Sequence, residues 1–180
     1  MGGDSGVMKA LLPLLLLPLP LLADEGNPAI DYAGFEKMVV DLGAVRAEHR
    51  VEEAEFLRMA AEPGTVILDT RSRAKYDQLH VKGAIHLNFS DFTKEALAKL
   101  IPDPKTRILI YCNNNFANEP ENFRGKKAEV ALNIPTFLNL HAYGYKNVYE
   151  LKPYLDIRKT KIPFAGASVE KDKAKGKGAG

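Results

Sequence analysis

The segment "VILDTRSRAKYDQLHVKGAIHLNF", residues 66–89, carries the pattern that decides the fold class. Its opening run, "VILD", is apolar without polar alternation, which is typical of a strand buried on both faces of a parallel sheet. A short polar helix is predicted over residues 73–78, and "AIHLNF" forms a second small apolar unit. Strand-like and helix-like stretches therefore alternate, as they do in α/β proteins.

Two helices are predicted before this segment. Apolar residues recur at helical spacing from Phe35 to Leu42, and Gly43 is the predicted end of that helix. The second helix lies within residues 51–64 and is ended by its closing Pro-Gly pair.

The alternation continues after the segment. Ser90 or Asp91 is predicted to cap a helix, and "RILIYC", residues 107–112, is a second buried strand. A further helix has Pro135 in its first turn and ends at Gly144, and "NVYEL" forms the closing strand. We therefore predict an α/β fold with a central, mostly parallel sheet and helices on both faces.

Residues 1–23 have the pattern of a secretory signal peptide. Met8 is the better start because Lys9 then directly precedes a leucine-rich run, which is shorter than the roughly 20 residues that span a bilayer. We expect cleavage after Ala23, export to the periplasm or the outside, and no membrane contact of the mature protein. The alternative is an uncleaved membrane anchor, because one positive charge makes an imperfect signal.

The rest of the chain divides into three predicted parts. Residues 24–50 are an N-terminal extension with a helix, residues 51–160 are the domain itself, and residues 161–180 are a disordered tail rich in Lys and Gly. The chain has 25 Lys and Arg against 23 Asp and Glu, so its formal charge of +2 does not favour nucleic acid binding.

Cys112 is the only cysteine and ends the second buried strand. Ligands of parallel sheets bind beyond the carboxyl ends of the strands. A loop that leaves such a strand directs backbone N–H groups inward, and these lower the pKa of a thiol and make it nucleophilic. From these features alone two interpretations stay open: a reactive thiol, or an inert cysteine in the core.

The residues indicate no metal site and no disulfide chemistry. One cysteine cannot supply a thiolate cluster, and the histidines show no ligand spacing. A disulfide oxidoreductase needs a second cysteine nearby, which the chain lacks.

Three separate stretches resemble rhodanese-like (sulfurtransferase) domains. Residues 66–89 resemble the opening signature of that family, "RILIYC" resembles the strand that bears its persulfide-forming cysteine, and "GYKNVYEL" resembles its closing segment. The residues that match the opening signature are Asp69, Arg71, Tyr76, His80, Gly83 and Ala84. The resemblance implies a three-layer rhodanese-like fold, which the chain length and the predicted signal peptide place in a single-domain, exported protein.

The resemblance also implies a function and a set of site residues. Cys112 would be the catalytic nucleophile, which takes sulfur from a small donor such as thiosulfate and passes it to a thiophilic acceptor such as cyanide, with no cofactor. Asp69 and Arg71 would order the loop, and Tyr76 and His80 would be fold markers. The persulfide would be held by the backbone N–H groups of Asn113, Asn114, Asn115, Phe116 and Ala117.

The chain departs from the family pattern after Cys112. The loop is enlarged, Asn118-Glu119-Pro120 is predicted to begin a short extra helix, and Leu79 replaces a glycine that often precedes the histidine. The inserted cations Arg124, Lys126 and Lys127 either bind an anionic donor or form a solvated turn.

Two other functions stay open at this stage. One is a rhodanese-like module that binds or regulates without catalysis. The other is a cysteine-based phosphatase or an arsenate-reductase-like enzyme, but these need an arginine six positions after the cysteine, where this chain has Asn118.

Overall fold

The computed structural model describes residues 27–171. The helices are α1 (Tyr32–Glu48), α2 (Glu53–Ala60), α3 (Arg73–Gln78), α4 (Lys94–Leu100) and α5 (Asn133–Ala142). The strands are β1 (Arg50–Val51), β2 (Val66–Asp69), β3 (His80–Val81), β4 (Ile85–His86), β5 (Ile108–Tyr111), β6 (Phe116–Ala117), β7 (Val148–Leu151), β8 (Leu155–Asp156) and β9 (Phe164–Ala165). The sheet and the sites described below belong to the unit that begins at Met38.

Five strands form the central sheet in the order β1-β7-β5-β2-β4. Each neighbouring pair in this sheet is parallel. The parallel sheet, with helices around it, confirms the α/β fold predicted from the sequence. All four residues of β5 are buried, so the lack of polar alternation in this strand reflects burial on both faces.

The two faces of the sheet belong to separate hydrophobic cores. Leu109 and Tyr111 of β5 pack in the core that includes α2. Ile108 and Ile110, which point to the opposite face, pack in the core that includes α4, α5 and the C-terminal half of α1. Because the sheet is parallel, the carboxyl ends of β2, β5 and β7 meet at one edge, and Cys112 lies at this edge.

Two helix boundaries differ from the sequence-based predictions. Gly43 does not end the first helix, which continues to Glu48, because Val45 of the added turn packs on the core. The N-cap of α4 is Thr93 rather than Ser90 or Asp91, since the Thr93 hydroxyl accepts a hydrogen bond from the Ala96 N–H at 3.1 Å.

Both predicted domain boundaries cut through the folded unit. Residue 50 belongs to β1, which pairs with β7 at the edge of the sheet. At the other end, β9 pairs antiparallel with β3, so the structure continues past residue 160. Ile162 is buried, and the Phe164 ring lies 5.1 Å from the Phe116 ring. The prediction of disorder from residue 161 was therefore wrong for this stretch, because these apolar side chains complete the core.

The outer parts of the chain lie beyond the described residues. The predicted signal peptide, residues 1–23, is one of them, and residues 172–180 of the predicted tail are the other. Between residues 27 and 171, no helix combines the length and the apolar character needed to cross a membrane.

The inserted loop contains no helix at Asn118-Glu119-Pro120, where one was predicted. The chain makes a single turn there, closed by a hydrogen bond from the Phe123 N–H to the Glu119 carbonyl at 2.9 Å. Phe123 is buried against Phe116, with 4.7 Å between ring centroids. Burial of this side chain directs the loop inward after one turn, so a longer helix does not form.

Gly166 is predicted to be intolerant of any side chain. Its φ is +120°, and a Cβ atom there would lie 2.6 Å from the Gln78 carbonyl oxygen at the end of α3. Gly166→Ala should lower the free energy of unfolding by about 1–3 kcal/mol, measured by urea denaturation. The matched control is Gly43→Ala in α1, where a Cβ meets nothing within 4 Å. Gly43→Ala should stabilise the protein by about 0.5–1 kcal/mol, and equal effects of the two substitutions would contradict this account.

Candidate active site at Cys112

Cys112 follows β5 in an extended conformation, and Asn113–Asn115 then form one turn of 3₁₀ helix. The Asn115 backbone N–H donates to the Cys112 carbonyl at 3.2 Å, and the Phe116 N–H donates to the Asn113 carbonyl. Phe116 and Ala117 then form β6, which pairs with β8. The Phe116 N–H thus serves the turn itself, whereas the Asn115 N–H also faces the Cys112 side chain, and the cradle over residues 113–117 stays a prediction.

Asn115 holds the cysteine loop in place through its buried side chain. Its Oδ1 accepts hydrogen bonds from the Cys112 N–H at 2.9 Å and from the Asn133 Nδ2 at 3.0 Å. Its Nδ2 donates to the Leu151 carbonyl at 2.7 Å and to the Pro153 carbonyl at 3.2 Å. One amide therefore joins the cysteine, the start of α5 and the end of β7.

Asn114 fastens the inserted loop to the cysteine loop. Its side chain donates to the Lys126 carbonyl at 2.7 Å and accepts from the Lys126 N–H at 2.9 Å. Asn113, in contrast, has a buried Oδ1 with no hydrogen-bond partner in residues 27–171. The three consecutive asparagines thus have different roles, and two of them are structural.

The Cys112 side chain is buried, with 1% of the residue exposed. Burial raises the pKa of the thiol, and the charge of Glu150 adds to the rise. The backbone N–H groups of Asn114, Asn133 and Leu132 act in the opposite direction, because they favour the thiolate. Two of these three donors come from the start of α5, beyond the inserted loop, where the positive end of the helix dipole also favours an anion.

Cys112 lines a cleft of about 350 Å³ whose charged residues come from α1, from β1, and from β7 and the residue after it. Glu150 lies opposite Ile110 of β5 and Arg50 of β1 in the sheet register. Side chains opposite each other in parallel strands share a face, and Cys112, two residues after Ile110, points to that face as well. The residues that line the cleft are Arg46, Arg50, Cys112, Asn114, Asn115, Ala128, Ala131, Asn133, Ile134, Glu150 and Lys152.

Glu150 is a buried carboxylate held by arginine. An Arg46 Nη2 to Glu150 Oε2 distance of 2.7 Å defines an ion pair, while the Arg50 Nε lies farther away, 3.7 Å from Oε1. Burial raises the pKa of Glu150, although both arginines oppose the rise. The cleft therefore places a carboxylate and guanidinium groups beside the thiol.

Sequence comparison assigns the family. The profile described as Rhodanese-like domain matches residues 52–153, which is more than half of the chain. The chain belongs to the rhodanese-like family. This family includes sulfurtransferases, and its match contains Cys112, Asp69 and Arg71. No curated protein sequence matches the chain at a significant level.

Solved structures with the rhodanese-like fold are similar at low identity. A crystal structure of the Alr3790 protein from Anabaena is 21% identical, with a TM-score of 0.47, and the alignment covers 69% of this chain and 99% of that one. A rhodanese from E. coli, solved with anions, is 22% identical with a TM-score of 0.39, covering 57% and 99% of the two chains. The hp1203 protein from Helicobacter pylori is 17% identical with a TM-score of 0.45, covering 69% and 94%.

In this rhodanese-like domain, Asp69 and Arg71 form a buried structural pair. Arg71 donates to Asp69 from its backbone N–H at 2.9 Å and from its Nη2 at 2.6 Å, and the Tyr111 hydroxyl also donates to Asp69. Arg71 further donates to the Leu79 carbonyl at 2.6 Å and to the Asn122 carbonyl at 3.0 Å. These contacts join β2, the end of α3 and the inserted loop, and the role of the pair in ordering the cysteine loop stays a prediction.

Tyr76 and His80 have positions that suit the predicted role of fold markers. The two rings stack at 4.0 Å between centroids, and the Tyr76 hydroxyl donates to the Ala84 carbonyl at 2.7 Å. The His80 Nδ1 lies 2.6 Å from the Tyr76 carbonyl oxygen. Gly83 has a φ of +87°, which glycine adopts without strain.

The cations predicted in the inserted loop do not line the Cys112 cleft. Arg124, Lys126 and Lys127 are all exposed. Lys126 lines a different cleft, of about 400 Å³, together with Arg71 and Asn113. The cations that line the Cys112 cleft are Arg46 of α1, Arg50 of β1 and Lys152, which follows β7, because β7 lies between β1 and β5 in the sheet.

Sequence reasoning missed these cations, Glu150 and the donors at Leu132 and Asn133. Glu150 had a visible signal, because a carboxylate inside the apolar strand "NVYEL" needs a partner. Arg46 and Arg50 had none, since they lie in α1 and β1, far from Cys112 in sequence, and only the fold brings them to Glu150 in the same cleft. Within residues 27–171, no group of three or more His, Cys, Asp and Glu side chains is arranged to hold a metal ion.

Proposed function

We propose that this rhodanese-like protein is a sulfurtransferase that carries sulfane sulfur as a persulfide on Cys112. The observation that carries the proposal is the position of the thiol: it lies at the carboxyl end of β5, in a cleft, beside backbone N–H donors from the cysteine loop and from the start of α5. Such donors stabilise a sulfur anion without any cofactor.

The proposed reaction has two steps. The Cys112 thiol first loses its proton to solvent, and the thiolate attacks the outer sulfur of a donor such as thiosulfate. The S–S bond of the donor breaks, sulfite leaves with the bonding electron pair, and a cysteine persulfide remains. A thiophilic acceptor such as cyanide then attacks the outer persulfide sulfur, and thiocyanate leaves as the Cys112 thiolate is restored.

The raised pKa of the thiol implies that the resting protein holds a protonated Cys112. We therefore expect sulfur loading to accelerate as the pH rises through that pKa, because only the thiolate attacks. The N–H groups of Asn114, Leu132 and Asn133 would bind the charged sulfur that forms.

The burial of the same thiol favours a second candidate function, a binding or regulatory module of this fold without turnover. Intact mass spectrometry after incubation with thiosulfate separates the two. Sulfur loading predicts a gain of about 32 Da, one sulfur atom, on the peptide that contains Cys112, and loss of that gain on addition of cyanide. Absence of any adduct from thiosulfate and from an organic trisulfide, in protein that iodoacetamide still alkylates at Cys112, would overturn the sulfurtransferase.

A further inference from the structure

The charged residues around Cys112 point to a class of substrate. Arg46, Arg50 and Lys152 face one carboxylate, Glu150, within the cleft. Glu150 pairs closely with Arg46 only, and Lys152 is paired at 2.8 Å with Glu52, where both side chains are half-exposed to solvent. The two partly exposed arginines of the cleft, Arg46 and Arg50, thus outnumber its one buried carboxylate, Glu150.

Two guanidinium N–H groups beside the cleft lack partners. The Nε atoms of Arg46 and Arg50 are buried and have no hydrogen-bond partner in the described part of the chain. The Arg50 Nε is 3.7 Å from Glu150, which is longer than a hydrogen bond. Buried donors without partners are costly, and a planar guanidinium pairs best with a planar or tetrahedral oxyanion.

We propose that Arg50 and Arg46 bind an oxyanion group, a carboxylate or a sulfonate, on the organic sulfur compound that reacts at Cys112. This inference rests on the proposed sulfurtransferase function. The match to the family begins at residue 52. The proposal therefore assigns substrate recognition to residues that precede this match, rather than to the inserted loop. The cleft of about 350 Å³ has the volume of a site for a small organic molecule.

Glu150 has a defined role in this arrangement. As the internal partner of Arg46, it keeps the guanidinium in place before a ligand binds. It also competes with the ligand for Arg46, so the ligand depends more on Arg50, whose guanidinium is the less tightly paired of the two. Removing the charge of Glu150 should therefore strengthen binding of an oxyanion.

Binding is tested without turnover by an NMR titration. The probe is 3-(methylthio)propionate, which carries a carboxylate but no reactive thiol, and the control ligand is the neutral 2-(methylthio)ethanol. Backbone amide signals of Cys112, Asn114 and Asn133 report the cleft. We expect Arg50→Gln to raise the Kd of 3-(methylthio)propionate by about tenfold, because one charge-assisted hydrogen bond is lost. The Kd of the neutral ligand should not change.

Matched variants keep the test decisive. Arg124→Gln in the exposed inserted loop makes the same change in net charge and should leave the Kd within about twofold of wild type, since charges in solvent are screened. Arg46→Gln alone would leave Glu150 buried without its partner. The double variant Arg46→Gln/Glu150→Gln is therefore used in its place, because it removes both charges of the pair. In the single variant Glu150→Gln, the Kd of 3-(methylthio)propionate should fall.

Kinetics then link the site to sulfur transfer. With 3-mercaptopropionate as acceptor, Arg50→Gln should raise KM and leave kcat nearly unchanged, while 2-mercaptoethanol should show no difference. Equal effects of Arg50→Gln and Arg124→Gln on the NMR Kd, or equal binding of the charged and neutral probes, would overturn the proposal. Absence of turnover in wild type would overturn the sulfurtransferase alone, because the titration measures the oxyanion site separately.

Discussion

Cys112→Ser is expected to lower kcat/KM for sulfur transfer from thiosulfate to cyanide by about 10³-fold or more. A serine oxygen is not a nucleophile for sulfane sulfur under these conditions, and the two-step route has no other thiol, because Cys112 is the only cysteine of the chain. Formation of thiocyanate measures the rate.

The fold should survive this substitution. Serine has a similar size, its hydroxyl oxygen can accept from the backbone N–H groups that face the sulfur, and the Cys112 backbone N–H keeps its bond to the Asn115 side chain. Unchanged circular dichroism, with a loss of unfolding free energy of roughly 1 kcal/mol for the buried hydroxyl, would confirm an intact fold. Retained sulfur transfer in Cys112→Ser would contradict the role of Cys112, and an aryl phosphatase activity lost in this variant would favour the phosphatase alternative.

Arg71→Leu is expected to be the most destabilising single substitution considered, at about 3–5 kcal/mol of unfolding free energy. It leaves Asp69, which is fully buried, without its ion-pair partner. It also removes donors from the Leu79 and Asn122 carbonyls, so β2, α3 and the inserted loop lose their common contact. Urea denaturation measures the loss.

Two further variants separate the ion pair from general damage at this position. Arg73→Leu, two residues away, removes an exposed pair with Asp77 and should change stability little. Asp69→Asn combined with Arg71→Leu removes both charges, and its cost should be clearly smaller than the sum of the two single costs. A small loss in Arg71→Leu, or strict additivity in the double variant, would contradict the assignment of a buried, coupled pair.

Much of the fold was predictable because its determinants are local in sequence. The runs "VILD" and "RILIYC" lack polar alternation, and that pattern follows from burial on both faces of a parallel sheet. The helix over residues 73–78 was predicted with its observed bounds. The path of the inserted loop was not predictable, because it depends on the packing of Phe123 against Phe116, a tertiary contact.

The candidate site also has features that were predictable from the sequence and features that were not. The position of Cys112 at a strand end was visible in the sequence, and so was its match to the family. The donors that reach the thiol were not, because Leu132 and Asn133 come to it across the whole inserted loop. The cradle of backbone N–H groups over residues 113–117 stays a prediction, and only the structure shows that the side chains of Asn114 and Asn115 hold other segments.

The sequence by itself determined the class of fold, the family and the identity of the thiol, since each depends on residues close together in the chain. Only the tertiary structure decided which charges surround that thiol. Arg50, Glu150 and Ile110 are far apart in sequence, and the register of three parallel strands places them side by side on the face of the sheet that Cys112 shares. The register joins strands that are distant in sequence, so the pattern of any single strand does not show which charges will lie side by side.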